Sequence, residues 1–147
     1  MDKQALVKEA IAAREKAYTP YSHFAVGAAL LGADGSLWHG CNIENASYTP
    51  TNCAERTAFF KAVSEGCNTF SAIAIVGGAA GLPISDWCAP CGVCRQVMRE
   101  FCDPETFEIV LACSESEIKT YLLKDLLPLG FGPQDLEVAA QKEANAQ

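Results

Sequence analysis

The chain has 147 residues, half of them hydrophobic and a fifth charged, with a formal net charge of −7. That is apolar material for one core, in the usual size range of one compact domain. The acidic balance, with its eleven basic residues spread along the chain, argues against a polynucleotide partner and for a small molecule.

Lys3 to Tyr18 has helical spacing, with Leu6, Ala10, Ile11, Arg14 and Ala17 recurring at three and four. Thr19-Pro20 is expected to end it, because the residue before proline is pushed out of the helical region. Phe24 to Leu31 and Ser36 to Cys41 read as two strands, and Asp34-Gly35 between them is a hairpin signal. Polar Asn42 to Asn52 reads as a loop. Cys53 to Ser64 returns to helical spacing and stops at Gly66. Phe70 to Val76 reads as a buried strand, and Ala79 to Ala89 as a loop. A helix with Pro90 just before or in its first turn presents Val93, Val97, Met98 and Phe101 to the core. Phe107 to Cys113 and Ile118 to Leu122 read as strands, Asp125 to Phe131 as a short turn or helix, and residues 137–147 as a helix that frays.

This order predicts one α/β domain over residues 1–147, a three-layer αβα arrangement around a mixed sheet of about five strands. The N-terminus lacks a basic segment followed by an apolar one, and no apolar run approaches the ~18–20 residues of a membrane span. A cytoplasmic protein without membrane contact is expected. Eight cysteines in that setting point to metal binding or buried thiols rather than a disulfide framework.

Spacing separates the cysteines. Cys53-Ala54-Glu55 opens one predicted helix and Pro90-Cys91-Gly92-Val93-Cys94 opens another. A helix N-terminus favours a thiolate. Three thiolates with one open position form a catalytic zinc pattern, because the open position takes water whose pKa the metal lowers. Three sulfur charges would weaken that acidification, and Arg56 can offset them by donating hydrogen bonds to the ligands. Glu55, two residues past a ligand, is placed to move protons. This is the metal-and-acid pattern of zinc nucleobase deaminases. Cys88 offers an alternative as a fourth thiolate that would close the site into a structural one. Cys41, Cys67, Cys102 and Cys113 lack ligand spacing and read as small core residues, and neither His23 nor His39 enters the zinc pattern.

Five blocks in order resemble the small homotetrameric zinc-dependent cytidine deaminases, over nearly the whole chain. They are Tyr21 to Leu30, Gly40 to Tyr48, Cys53-Ala54-Glu55-Arg56, Pro90 to Val97, and Leu126 to Phe131. The stretch Ala79 to Ala89, with Trp87 and Cys88, matches no block of that family. The resemblance implies hydrolytic deamination of free cytidine and deoxycytidine in pyrimidine salvage, with one Zn2+ per chain held by Cys53, Cys91 and Cys94. It implies that Asn42 and Glu44 hold the ribose 3′-hydroxyl, that Phe24 lies against base and sugar, and that the Ala54 N–H meets the pyrimidine O2. Phe131 would stack on the base from a neighbouring subunit, and Ala46 and Tyr48 would reach the 5′ side from a neighbour. Two rivals remain open at this point: the same chemistry on another cytosine-containing substrate, and a non-catalytic zinc-binding module.

Overall fold

The computed structural model describes residues 1–146. The elements in chain order are α1 (Lys3–Arg14), β1 (Phe24–Gly32), β2 (Leu37–Cys41), α2 (Ala54–Ser64), β3 (Phe70–Ala79), α3 (Gly92–Phe101), β4 (Glu108–Ala112), β5 (Ile118–Leu122), α4 (Leu123–Leu126) and α5 (Pro133–Ala146). The strands form one five-stranded sheet in the order β2-β1-β3-β4-β5. Only β3 and β4 run parallel, and a parallel pair needs a crossover, which α3 supplies. The expected mixed sheet with helices on both faces is what the chain forms.

The period of two in β1 divides the core. Ala28 and Leu30 pack with Ala58, Phe59, Ile73, Ile75, Met98 and Ile109 on the face covered by α2 and α3. Ala29 packs with Leu6, Val7, Ala10, Ala74, Val76 and Val110 on the face covered by α1. Two glycines set how close the helices lie. A Cβ on Gly27 would stand 2.1 Å from the Ala10 carbonyl oxygen in α1, and one on Gly40 would stand 2.1 Å from the Ala54 carbonyl oxygen in α2. Glycine is required at both positions because helix backbone fills the space a side chain would take.

The boundaries of four elements differ from expectation by two residues or more. α1 ends at Arg14, four residues before Tyr18, because Tyr18 is drawn into a bridge with Ile43: its N–H donates to the Asn42 carbonyl at 3.0 Å, and its own carbonyl accepts from Glu44 N–H at 2.9 Å. β3 continues through Gly77-Gly78 to Ala79 because both glycines pair with β1. The short helix α4 sits at Leu123–Leu126 rather than at 125–131, directly after β5. The tail helix α5 begins at Pro133, earlier than expected, and buries none of its residues; Gln147, at the end of that expected helix, lies outside the described residues.

Candidate metal centre

The site forms where α2 and α3 begin. Cys53 is the N-cap of α2 and Cys91 the N-cap of α3, and both have extended backbone. Cys94 lies one turn into α3, and its N–H donates to the Cys91 sulfur at 3.5 Å. The three sulfurs all lie within 4.8 Å of one another, with Cys53 and Cys91 Sγ 3.7 Å apart. Zinc–thiolate bonds of ~2.3 Å at tetrahedral angles place sulfurs about 3.8 Å apart, so this donor set fits a zinc ion. Among the described residues, no further cysteine, histidine or carboxylate joins the group. Cys88 stands outside it, which removes the feature that favoured a closed structural site.

The electrostatics of the triad are uneven. The hydrogen bond from Cys94 holds the Cys53 thiol down at about 5, with Arg56 and Cys91 adding to the effect against burial. Cys94 is correspondingly pushed up, first by its bond to Cys53 and then by burial. The two shifts run in opposite directions, which favours the thiolate at Cys53 over Cys94 while no metal is bound. Arg56 Nη2 donates to Cys53 Sγ at 3.3 Å. Burial opposes the guanidinium charge, but hydrogen bonds to Cys53 and Cys94 outweigh it and hold Arg56 above its ordinary value. Its Nε is buried without a partner, so the guanidinium has a donor unused.

Glu55 is buried, 4% exposed, with Oε2 accepting from Cys94 Sγ at 3.7 Å. Burial, helped by the charge on Cys53, raises its carboxyl to about 7. A carboxyl poised there can both take and return a proton near neutrality. Cys88 borders the same region: a Cβ on Gly77 would fall 2.8 Å from Cys88 Sγ and 3.1 Å from the Phe24 ring. Burial, then the charges of Glu55 and Cys53, push the Cys88 thiol up to about 12. It is therefore a neutral wall residue between Gly77 and the half-exposed Phe24.

The remaining residues surround this centre less tightly. Asn42 Oδ1 accepts from Val26 N–H at 2.9 Å and its Nδ2 donates to the Phe24 carbonyl at 2.8 Å, which fixes the loop after β2 against β1. Glu44 accepts from the Tyr21 and Ser22 N–H groups at 3.0 and 3.1 Å and from the Ser22 hydroxyl, and the Ser22 bond leads in holding its carboxyl below the usual range. Glu44 lines an open cleft of about 400 Å³ with Tyr21, Ser22, Tyr48 and Thr51. Ala54 is the first residue of α2, where backbone N–H groups have no intrahelical acceptor. Ala46, Tyr48 and Phe131 are exposed on their own chain, and Tyr48 takes a φ of 61° while meeting Tyr21 edge-on at 6.3 Å.

Two residues that sequence reasoning gave no role support this arrangement. Ser22 orients Glu44. Arg14 is 5% exposed and donates to the carbonyls of Ala25, Leu82 and Ala79 at 2.9, 2.8 and 2.7 Å, tying β1 to the loop after β3. Its signal was an arginine standing in the apolar stripe of the first helix.

The family model described as "Cytidine and deoxycytidylate deaminase zinc-binding region" matches residues 1–110. A cytidine deaminase of Sporosarcina psychrophila is 50% identical over 97% of this chain and 100% of its own length. One of Halalkalibacterium halodurans is 52% identical over 92% of this chain and 98% of its own. Among solved structures, cytidine deaminase from Burkholderia pseudomallei matches with a TM-score of 0.80 and 51% identity, over 89% of this chain and 100% of that one. That from Mycobacterium tuberculosis matches with a TM-score of 0.74 and 40% identity, over 90% and 98%.

Proposed function

The chain belongs to the cytidine and deoxycytidylate deaminase family, and from that premise we infer that it hydrolyses cytidine and deoxycytidine to uridine and deoxyuridine. Water adds at C4 of the base, the C4–amine bond breaks, and ammonia leaves. The observation that carries this reading is the open three-sulfur site beside a buried carboxyl. When bound, zinc supplies the Lewis acidity that makes a water nucleophilic near neutral pH. Glu55 would take a proton from the attacking water and give it to N3 so that C4 becomes electrophilic, then take the second proton from the new C4 hydroxyl as the carbonyl forms and give it to the departing amine, which leaves as ammonia. Arg56 draws charge from the Cys53 and Cys94 sulfurs.

The substrate contacts follow the same reading. Asn42 has a second Nδ2 hydrogen to offer, and Glu44, its carboxylate oriented by Tyr21 and Ser22, accepts the 3′-hydroxyl. Phe24 lies along base and sugar, and the free Ala54 N–H meets O2. Residues 1–147 act as one domain and assemble as a cytoplasmic homotetramer serving pyrimidine salvage. The exposure of Phe131, Tyr48 and Ala46 supports their reaching a neighbour's site, and eight unpaired cysteines suit a reducing compartment.

The test follows loss of cytidine ultraviolet absorbance by the purified protein. Turnover is expected to vanish on zinc chelation and return with zinc. Glu55→Gln should keep its zinc and lose about 10²–10⁴-fold in rate. A zinc-loaded protein inert toward cytidine, or a Glu55→Gln variant near full rate, would overturn the reading.

A further inference from the structure

Between α4 and α5, residues Leu127 to Gly132 carry Phe131 with few anchors of their own. The backbone is tied at the two ends, by Leu127 N–H to the Leu123 carbonyl at 2.9 Å and by Asp135 N–H to the Gly132 carbonyl at 3.0 Å. Within it, Leu129 is fully exposed with a φ of 54°, and Phe131 is 59% exposed. What fastens this segment to the body is a row of side chains from α3. Arg95 Nη1 donates to the Leu126 carbonyl at 2.6 Å, and Gln96 Nε2 donates to the Phe131 carbonyl at 2.8 Å. Arg95 also donates through Nε to the carbonyl of Pro90 at 2.8 Å, the residue directly before Cys91. A single guanidinium thus joins the turn that carries a metal ligand to the start of the Phe131 segment. Gln96 then fixes the peptide of Phe131 itself.

We propose that Arg95 and Gln96 are positioning residues that make the placement of Phe131 depend on the metal-ligand turn of α3. The inference rests on Phe131 as a base contact, as proposed above, but its structural half does not. Holding Cys91 and Cys94 fixes the first turn of α3 and the Pro90 carbonyl. Arg95 then has both its acceptors in place, and Gln96, one residue on, presents its donor to Phe131. Releasing the ligands frees the Pro90 turn, and the Arg95 bridge to Leu126, directly before the segment, loses its fixed end. Neither side chain needs to touch substrate for this, so the expected signature is in binding and local order rather than in the chemical step.

Two measurements decide it. In hydrogen–deuterium exchange on the zinc-loaded wild type, amides of residues 127–132 are expected to be protected, and chelation should speed their exchange. In Arg95→Met, with zinc content confirmed, these amides should exchange fast already and respond little to chelation. In kinetics, Gln96→Met removes the donor while keeping the length of the side chain. It should raise KM for cytidine about tenfold, the effect of one lost hydrogen bond, with kcat and zinc content held. Gln96→Lys, which restores a donor, should recover most of the loss. Exchange indifferent to zinc in the wild type, or a Gln96→Met variant with unchanged KM and exchange, would overturn the proposal. A wild type inert toward cytidine would instead sink the deaminase reading, and the exchange experiment would still decide the coupling.

Discussion

Gly40→Ala should injure the metal centre although Gly40 is not part of it. A Cβ there would stand 2.1 Å from the Ala54 carbonyl oxygen and 2.6 Å from the Ala58 nitrogen, both in α2. Ordinary contact begins near 3.4 Å, so α2 must retreat by roughly 1.3 Å. Cys53, Glu55 and Arg56 all sit on the retreating end. The Cys53 and Cys91 sulfurs, 3.7 Å apart, then no longer match zinc bonds that tolerate about 0.2 Å. Overpacking alone costs ~1–3 kcal/mol, and a misplacement of about 1 Å costs on the order of 10²-fold in rate. Gly27→Ala is the control. It meets α1 with the same 2.1 Å approach, but on the opposite face, away from the sulfurs. Zinc stoichiometry by atomic absorption, melting temperature and cytidine turnover would be measured on both. Both should melt lower. Gly40→Ala alone should lose zinc and about 10²-fold in kcat/KM, while Gly27→Ala keeps most of its turnover per zinc. Equal losses in the two variants would refute the view that β2 sets the position of the metal-bearing helix.

Glu55 should leave its mark on stability once zinc is stripped by a chelator. Its folded carboxyl, raised from 4.5 to about 7, binds more protons than the unfolded one between those values, so its contribution to stability falls as pH rises across that window, by about 3 kcal/mol in all. Cys53, held from 9.0 down to about 5, contributes stability that grows as pH rises from 5 to 9, so wild type alone would show a near-flat profile where the two overlap. The informative quantity is wild type minus Glu55→Gln from urea denaturation, which should decline from pH 4.5 to 7; a pH-independent difference would contradict the assigned environment. A 5′-phosphate should be rejected, because the cleft beside Glu44 is lined by Tyr21, Ser22, Tyr48 and Thr51 without a lysine or arginine, and Ala46 and Tyr48, proposed to reach the 5′ side from a neighbour, carry no charge. Ammonia release from CMP should be slower than from cytidine by at least about tenfold in kcat/KM, and comparable rates would point to a cation brought to the sugar from elsewhere.

The sequence made the metal centre legible because its chemistry is local. Cys53 and Glu55 share one helix turn, as do Cys91 and Cys94, and each pair follows a loop into a predicted helix. The strands were legible from period and turn chemistry, down to the Asp34-Gly35 hairpin. Features decided by distant partners were not. α1 stops at Arg14 because Tyr18 pairs with Ile43, a contact across the chain that helical spacing cannot register. Arg14 looked like one more member of an amphipathic stripe, and only the fold brings the carbonyls of Ala25, Ala79 and Leu82 around it. Cys88 shares Cys-x-x-Cys spacing with Cys91, yet it is turned toward Gly77 and Phe24, since Pro90 separates it from the start of α3.

The charge of the centre explains why these helices meet where they do. Three thiolates and an ionised Glu55 would set four negative charges around one divalent ion. The excess is met by groups of different reach. The N-termini of α2 and α3 converge on the site, each carrying the equivalent of about half a positive charge. Arg56 adds a full charge, delivered by hydrogen bond to Cys53 and directed at Cys94 as well. Glu55, buried beside Cys53, has its carboxyl raised to about 7 while the site holds no metal. The centre is thereby close to neutral when a nucleoside without charge enters, and no ionic group on the substrate is needed to balance it. Cys91, the exposed member of the triad, is the sulfur for which no bond from Arg56 is found. The acidity that a bound zinc would confer on water would therefore depend on an arginine outside the ligand set as well as on the three thiolates inside it.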